Sequence, residues 1–175
     1  MIEIKFGDTQ VIIKRGQLTE AHVDVVVREA DASLAEELSP GGLAVNQAVL
    51  TDAEDLRAEK LIYTRLPNWQ SRYHGEKIDL ERSYQNALVA AIDGGLETVA
   101  FPPLGLGARG FPGYEATVIA LNTIERVVTL KDRRTDYRGA IKRVEIIVDN
   151  DEDFELYRRV HRAYAHRWDG SGVAA

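Results

Sequence analysis

A three-layer α/β/α fold around a mixed, largely parallel sheet is predicted by three features of this sequence. Short β-branched runs alternate along the chain with longer stretches of helical periodicity. Glycine and proline punctuate the boundaries between them. The 175 residues are 45% hydrophobic and carry neither an internal repeat nor a linker, so one core accounts for the length. A single domain over residues 1–167 is expected. A flexible Gly- and Ala-rich tail is expected over residues 168–175.

Ile2 to Phe6 alternates apolar and charged residues, and Gly7-Asp8 turns the chain into Val11 to Lys14, giving two strands. Asp24 to Val27 is continuous and β-branched, as expected of a strand buried on both faces. From there to about Ala53 the pattern is ambiguous. Ser39-Pro40-Gly41-Gly42 is a loop, and Leu43 to Leu50 fits a short helix or an extended segment. Leu61 to Thr64 is another buried strand, followed by a polar loop over Trp69 to Lys77. Asp79 is expected to cap a helix bearing Leu80, Tyr84, Ala87, Leu88, Ala91 and Ile92 on one face, stopped by Gly94-Gly95. Thr98 to Phe101 is a short strand. A helix beginning near Gly113 carries Ala116, Ile119, Ala120, Thr123, Ile124, Val127 and Val128. A charged connector over Lys131 to Lys142 leads to a strand at Val144 to Val148, and a last amphipathic helix bears Phe154, Tyr157, Val160 and Tyr164.

Charge and composition narrow the function classes. The net charge is −6, which argues against broad affinity for a nucleic-acid backbone, since phosphate neutralisation needs a positive face. No cysteine is present, which excludes disulfides and thiolate metal sites. The histidines His22, His74, His161 and His166 show no paired metal spacing, and no metal or cofactor is expected. Ser33 and Ser39 lack a His and Asp arrangement that would make a nucleophile. The first residues lack a signal-peptide core, and no apolar run approaches the ~20 residues that cross a bilayer. A cytoplasmic location without membrane contact is therefore expected. The basic cluster of Lys131, Arg133, Arg134, Arg138, Lys142 and Arg143 is read as a solvated connector, with binding of an acidic partner as the minority alternative.

The segment with the clearest chemistry is Leu104-Gly105-Leu106-Gly107-Ala108-Arg109-Gly110-Phe111, between a strand end and a helix start. Glycines permit positive φ and close backbone approach, and successive amides beside a helix N-terminus form an anion-binding concavity. Arg109 is placed to add a charge-assisted contact to phosphate. A purely structural turn is the alternative. The glycines also fit the letters of a dinucleotide fingerprint, but the loop lies late in the chain and no acidic residue ends a strand ~20 residues on. Trp69, Tyr73 and His74 are candidates to line a ligand cleft or to support an aromatic loop.

Several segments together resemble the macro domain family, whose members bind ADP-ribose and related nucleotides and some of which hydrolyse ADP-ribose linkages. Gly16-Gln17-Leu18-Thr19 with Val23 to Asp31 is similar, without gaps, to the family's G-D-I-T…V-D-A-I-V-N-A-A-N stretch. Thr51 to Pro67 resembles the segment entering the V-I-H strand, and Tyr84 to Leu88 the helix after it. Phe101 to Pro112 is similar to F-P-x-I-S-T-G-x-Y-G-F-P, the loop that holds the diphosphate and distal ribose, and Phe154 to Tyr157 resembles the last helix.

The resemblance implies a site of Gln17, Leu18, Asp31, Gly41, Gly42, Gly105, Leu106, Gly107, Ala108, Arg109, Gly110, Phe111 and Asp149. Gln17 stands at the adenine-contacting aspartate, Arg28 and Asp31 at the ribose-associated asparagines, and Asp149 at an aromatic position. Gly105 and Arg109 replace the loop's serine and tyrosine. The resemblance implies that the glycine-rich segment after the asparagine pair is truncated, with Ala44 in line with the hydrolases' catalytic aspartate, or that Leu43 to Thr51 belongs to the next strand. The expectation is a divergent macro domain binding ADP-ribose or a related phosphorylated nucleotide, with ADP-ribosylated protein as a further partner. The alternatives are a ligand-free interaction module and an ADP-ribosyl hydrolase with rearranged groups, for which Asp31 is the one candidate base.

Overall fold

The computed structural model describes residues 1–70 and 75–168. Its elements are β1 (Ile2–Phe6), β2 (Thr9–Arg15), β3 (Val25–Glu29), α1 (Ala32–Leu38), β4 (Ala48–Asp52), β5 (Lys60–Thr64), α2 (Gly75–Asp93), β6 (Thr98–Phe101), α3 (Gly113–Val128), β7 (Arg143–Val148) and α4 (Asp151–Trp168). Short 3-10 turns occupy Leu18–Glu20 and Gly107–Arg109. The strands form one sheet in the order β1-β2-β7-β6-β3-β5-β4. The five inner strands are parallel, and the edge strands β1 and β4 pair antiparallel with β2 and β5.

Alternation along the strands divides the core in two. Val25, Val27, Val99, Phe101, Val144, Ile146 and Val148 meet the buried sides of α2, α3 and α4 in one cluster. Val26, Leu61, Ala100 and Ile147 point the other way and are covered by Ala21, Val23 and Ala58. α1 adds Ala35, packed with Ala30 and Leu43. The predicted α/β/α architecture is present, with the second outer layer made of one short helix and irregular segments.

The ambiguous stretch resolves into a helix, a turn and a strand. Asp31 accepts a hydrogen bond from the Leu34 amide (2.8 Å) and caps α1. Leu43 to Leu50 is extended at its end, where Ala48 to Asp52 form β4. α2 begins at Gly75, so Asp79 is not its cap. The Asp79 carboxylate instead accepts from Asn46 Nδ2 (2.9 Å), tying α2 to the turn before β4. Upstream, the buried Glu76 accepts from the Gln70 amide (2.8 Å), which anchors the helix start to the preceding loop. The helix stops at Gly94-Gly95 as expected, where Gly95 has φ +72°.

Trp168 was expected in the tail, yet it is buried in the last turn of α4, edge-on to Phe6 (5.8 Å) and stacked on Tyr164 (5.1 Å). Aromatic burial against the edge strand holds it there. Residues 169–175, the rest of the expected tail, lie outside the described residues. The basic connector enters β7 at its amino end. Arg138 pairs with Asp136, Lys142 with Glu97 and Arg143 with Glu145, so much of its charge is compensated locally.

Candidate functional site

Parallel pairing brings the carboxyl ends of β2, β7, β6 and β3 to one edge of the sheet, the usual ligand position in α/β folds. Arg15 pairs with Val148 and Phe101 with Ile146, and the Gly16 amide donates to the Val148 carbonyl (3.0 Å). The segments leaving these strands therefore lie side by side. Between them is a cleft of about 430 Å³, formed by Gly16, Gln17 and Leu18 after β2, Pro102, Pro103, Leu106 and Gly107 after β6, and Ile147, Asp149, Asn150 and Asp153 around the end of β7.

The loop after β6 is held from below. The Leu104 amide donates to the buried Tyr84 hydroxyl on α2 (3.0 Å), and Tyr84 and Tyr157 are hydrogen-bonded to each other. Burial pushes both phenols above the usual tyrosine range, so they stay protonated across the physiological range. Above this anchor Gly105 turns with φ +88°, and a β-carbon there would crowd Leu80 and Phe111 at 3.1–3.3 Å. Phe111 is buried and tilts against Trp69 (5.5 Å). Gly107 also has positive φ (+73°), but a β-carbon on it would meet nothing within 4 Å and would enter open space at the cleft. The loop closes through Gly110 N–H to Gly107 O (3.0 Å) and Phe111 N–H to Gly105 O (3.2 Å). Gly107 and Ala108 open the 3-10 turn, so their amides have no partner within it.

The opposite wall presents acceptors. Asn150 Nδ2 donates to both Asp149 Oδ1 (3.0 Å) and Asp153 Oδ2 (2.9 Å), holding two carboxylates beside Gln17. Asn150 Oδ1 accepts from the Asp153 amide (2.7 Å) and so caps α4. Arg15 reaches the Asp149 carbonyl (3.2 Å) and pairs with Asp151. The cleft thus has carboxylates at its β7 end and the glycine turn at Gly107 at its β6 end.

Of the expected site residues, the cleft gathers Gln17, Leu18, Leu106, Gly107 and Asp149. Gly105 and Phe111 are buried supports, and Gly110 closes the turn in the left-handed conformation. Ala108 is exposed beside Gly107. Asp31 is committed to capping α1. Gly41 and Gly42 turn the chain after α1, with the Gly42 amide on Ser39 O (2.8 Å). Arg109 does not stand free. It is salt-bridged to Glu29 at the end of β3 and donates through Nη1 to Asn68 Oδ1 (2.9 Å). Trp69 supports the loop by donating its amide to the Arg109 carbonyl (2.9 Å), while Tyr73 and His74 lie outside the described residues.

Sequence reasoning missed Glu29, Asn68, Asn150 and Asp153. The last two carried a usable signal, because an Asn followed at the third position by an acid before an amphipathic run marks a helix start. Asp24, by contrast, is structural. It accepts from the amides of Glu97 (2.9 Å) and Thr98 (3.1 Å) at the amino end of the sheet.

Comparison with known proteins bears on this geometry. The Macro domain profile matches residues 16–120. The chain is 30% identical to an O-acetyl-ADP-ribose deacetylase of Enterobacter cloacae, over 86% of this chain and 93% of that protein. In structure it resembles the Oceanobacillus iheyensis macrodomain solved with ADP, with TM-score 0.80, 19% identity, and coverage of 95% and 97% of the two chains. A Trypanosoma brucei macrodomain in complex with ADP-ribose is similar with TM-score 0.70, 20% identity, and coverage of 85% and 68%.

Proposed function

Because the chain belongs to the macro domain family, we propose that the cleft binds ADP-ribose or a related phosphorylated nucleotide. The polarity of the cleft carries this proposal. Asp149 and Asp153 offer acceptors to the amino and hydroxyl groups of a nucleoside, while the Gly107 and Ala108 amides offer donors to a diphosphate. A ligand with donors at one end and anionic oxygens at the other satisfies both walls at once. Gln17, in the same cleft, has an amide that can donate to or accept from a base edge.

No hydrolytic role is assigned to Asp31, because its carboxylate already serves the α1 amide of Leu34. Binding is thus the function proposed. Calorimetry with ADP-ribose and with ADP tests it. Saturable heat is expected for the native protein, and loss of at least about tenfold in affinity for Gly107→Glu, whose carboxylate would enter the cleft and repel phosphate. Absence of heat with both ligands at millimolar concentration would refute the proposal.

A further inference from the structure

The sheet ends on two strands, β1 and β4, whose outer edges pair with no strand among the described residues. Along β1, the two-residue turn at Gly7-Asp8 makes Phe6 and Thr9 the first bonded pair of the hairpin. Antiparallel alternation then turns the N–H and C=O groups of Ile2, Ile4 and Phe6 toward β2, and those of Glu3 and Lys5 outward. The side chains follow the same period. Ile2, Ile4 and Phe6 are buried in the core beneath the helices, while Glu3 and Lys5 are exposed on the other face of the sheet. Their neighbours across β2 are Ile12 and Gln10, and neither charge has an ionic partner among the described residues. A groove of about 870 Å³ runs along this edge past Glu3, Lys5 and Trp168. At the other edge, β4 carries a single charge, Asp52, which is already paired with Lys60 of β5.

We infer that β1 is the contact surface for a second copy of this chain, the two β1 strands pairing antiparallel about a two-fold axis at Ile4. The strand Ile2-Glu3-Ile4-Lys5-Phe6 is complementary to itself in that register. Glu3 faces Lys5 of the second copy, and Lys5 faces its Glu3. Each of these pairs exchanges the backbone bonds that point outward from the edge. Ile4 meets Ile4, and the buried faces of both copies stay on one side of the joined sheet. Sliding one strand by two residues sets Glu3 against Glu3 or Lys5 against Lys5, which destabilises the pair. Charges on an edge strand ordinarily keep copies apart. Here they reject the neighbouring registers and favour one. The contact is isologous and closes on itself, so it stops at a dimer. Two seven-stranded sheets become one, and β2 runs in opposite directions in its two halves. The two clefts therefore open at opposite ends of the dimer, whatever ligand they take.

Sedimentation velocity and hydrogen exchange on the full chain test this, with circular dichroism to establish that each variant is folded. The native protein is expected to dimerise with a dissociation constant below about 100 μM. Glu3→Lys or Lys5→Glu turns both cross-strand pairs into like-charge pairs, and each is expected to weaken association about tenfold or more. Mixing the two variants in equal amounts, or combining both substitutions in one chain, sets unlike charges opposite again. Either is expected to restore association to within about threefold of the native protein. The Glu3 and Lys5 amides are expected to gain protection from exchange as protein concentration rises, while those of Ile4 and Phe6 are protected throughout. A native protein that stays monomeric at about 1 mM overturns the inference. So does association that survives both single reversals, that neither combination restores, or that protects β4 in place of β1. Dimerisation that appears only when residues 169–175 are removed overturns it as well, assigning the edge to the chain's own end.

Discussion

Asp31 shows how a single side chain's hydrogen bond decides between two roles that sequence leaves open. Its position after a buried strand makes it a plausible base, but Oδ1 is bonded to the Leu34 amide at the start of α1. Removing such a cap costs about 1 kcal/mol of helix stability. Asp31→Ala is therefore expected to lower the melting temperature by a few degrees, roughly 2–4 °C per kcal/mol for a chain of this size, while leaving nucleotide affinity unchanged. A large loss of affinity at constant stability would restore Asp31 to the site. Arg109 is the converse. Its charge suggests a free phosphate contact, yet its guanidinium is held by residues 80 and 41 positions away in sequence. A contact of that range leaves no trace in local pattern, so Glu29 and Asn68 were invisible beforehand.

The elements that sequence revealed are those whose pattern is fixed by two-sided or strongly one-sided burial. β3 and β7 are nearly continuous apolar runs, and α3 and α4 repeat buried residues at helical spacing. β4 escaped because it is an edge strand with no fully buried residue, so neither alternation nor continuity marks it. α1 is seven residues long and buries only Ala35, too little for a periodic signal. The start of α2 was misplaced because its first turn is stabilised by Glu76 and the Gln70 amide, a local bond between side chain and backbone.

The same scale explains why the β6–α3 loop keeps its shape. Its strand and helix were legible, but the anchor beneath it, from Tyr84 to the Leu104 amide, joins α2 to the loop. Tyr84→Phe leaves that buried amide and the Tyr157 hydroxyl without their partner, at a cost of about 1–3 kcal/mol. A melting temperature lower by roughly 3–10 °C is expected by calorimetric scanning, together with weaker nucleotide binding. Unchanged stability would show that the hydroxyl is not what holds the loop.

Across the whole molecule, the acidic balance of −6 and the proposed site for anionic ligands are compatible because the donors proposed for it are local. These are backbone amides of the glycine loop, whereas the basic connector lies at the opposite, amino end of β7, partly neutralised by Asp136, Glu97 and Glu145. Fixed dipoles at short range can bind phosphate without a positive field over the surface. The acidic residues also have a use within the cleft, where Asp149 and Asp153 give the end away from the loop its acceptor character.

That polarity is tested most directly by following backbone amide resonances as ADP-ribose or ADP is added to isotope-labelled protein. The largest shifts are expected together in Gly107 and Ala108 on one wall and in Gln17, Asp149 and Asn150 on the other. Shifts confined to one wall, or centred on residues outside the cleft, would contradict a ligand spanning the carboxylates and the glycine loop.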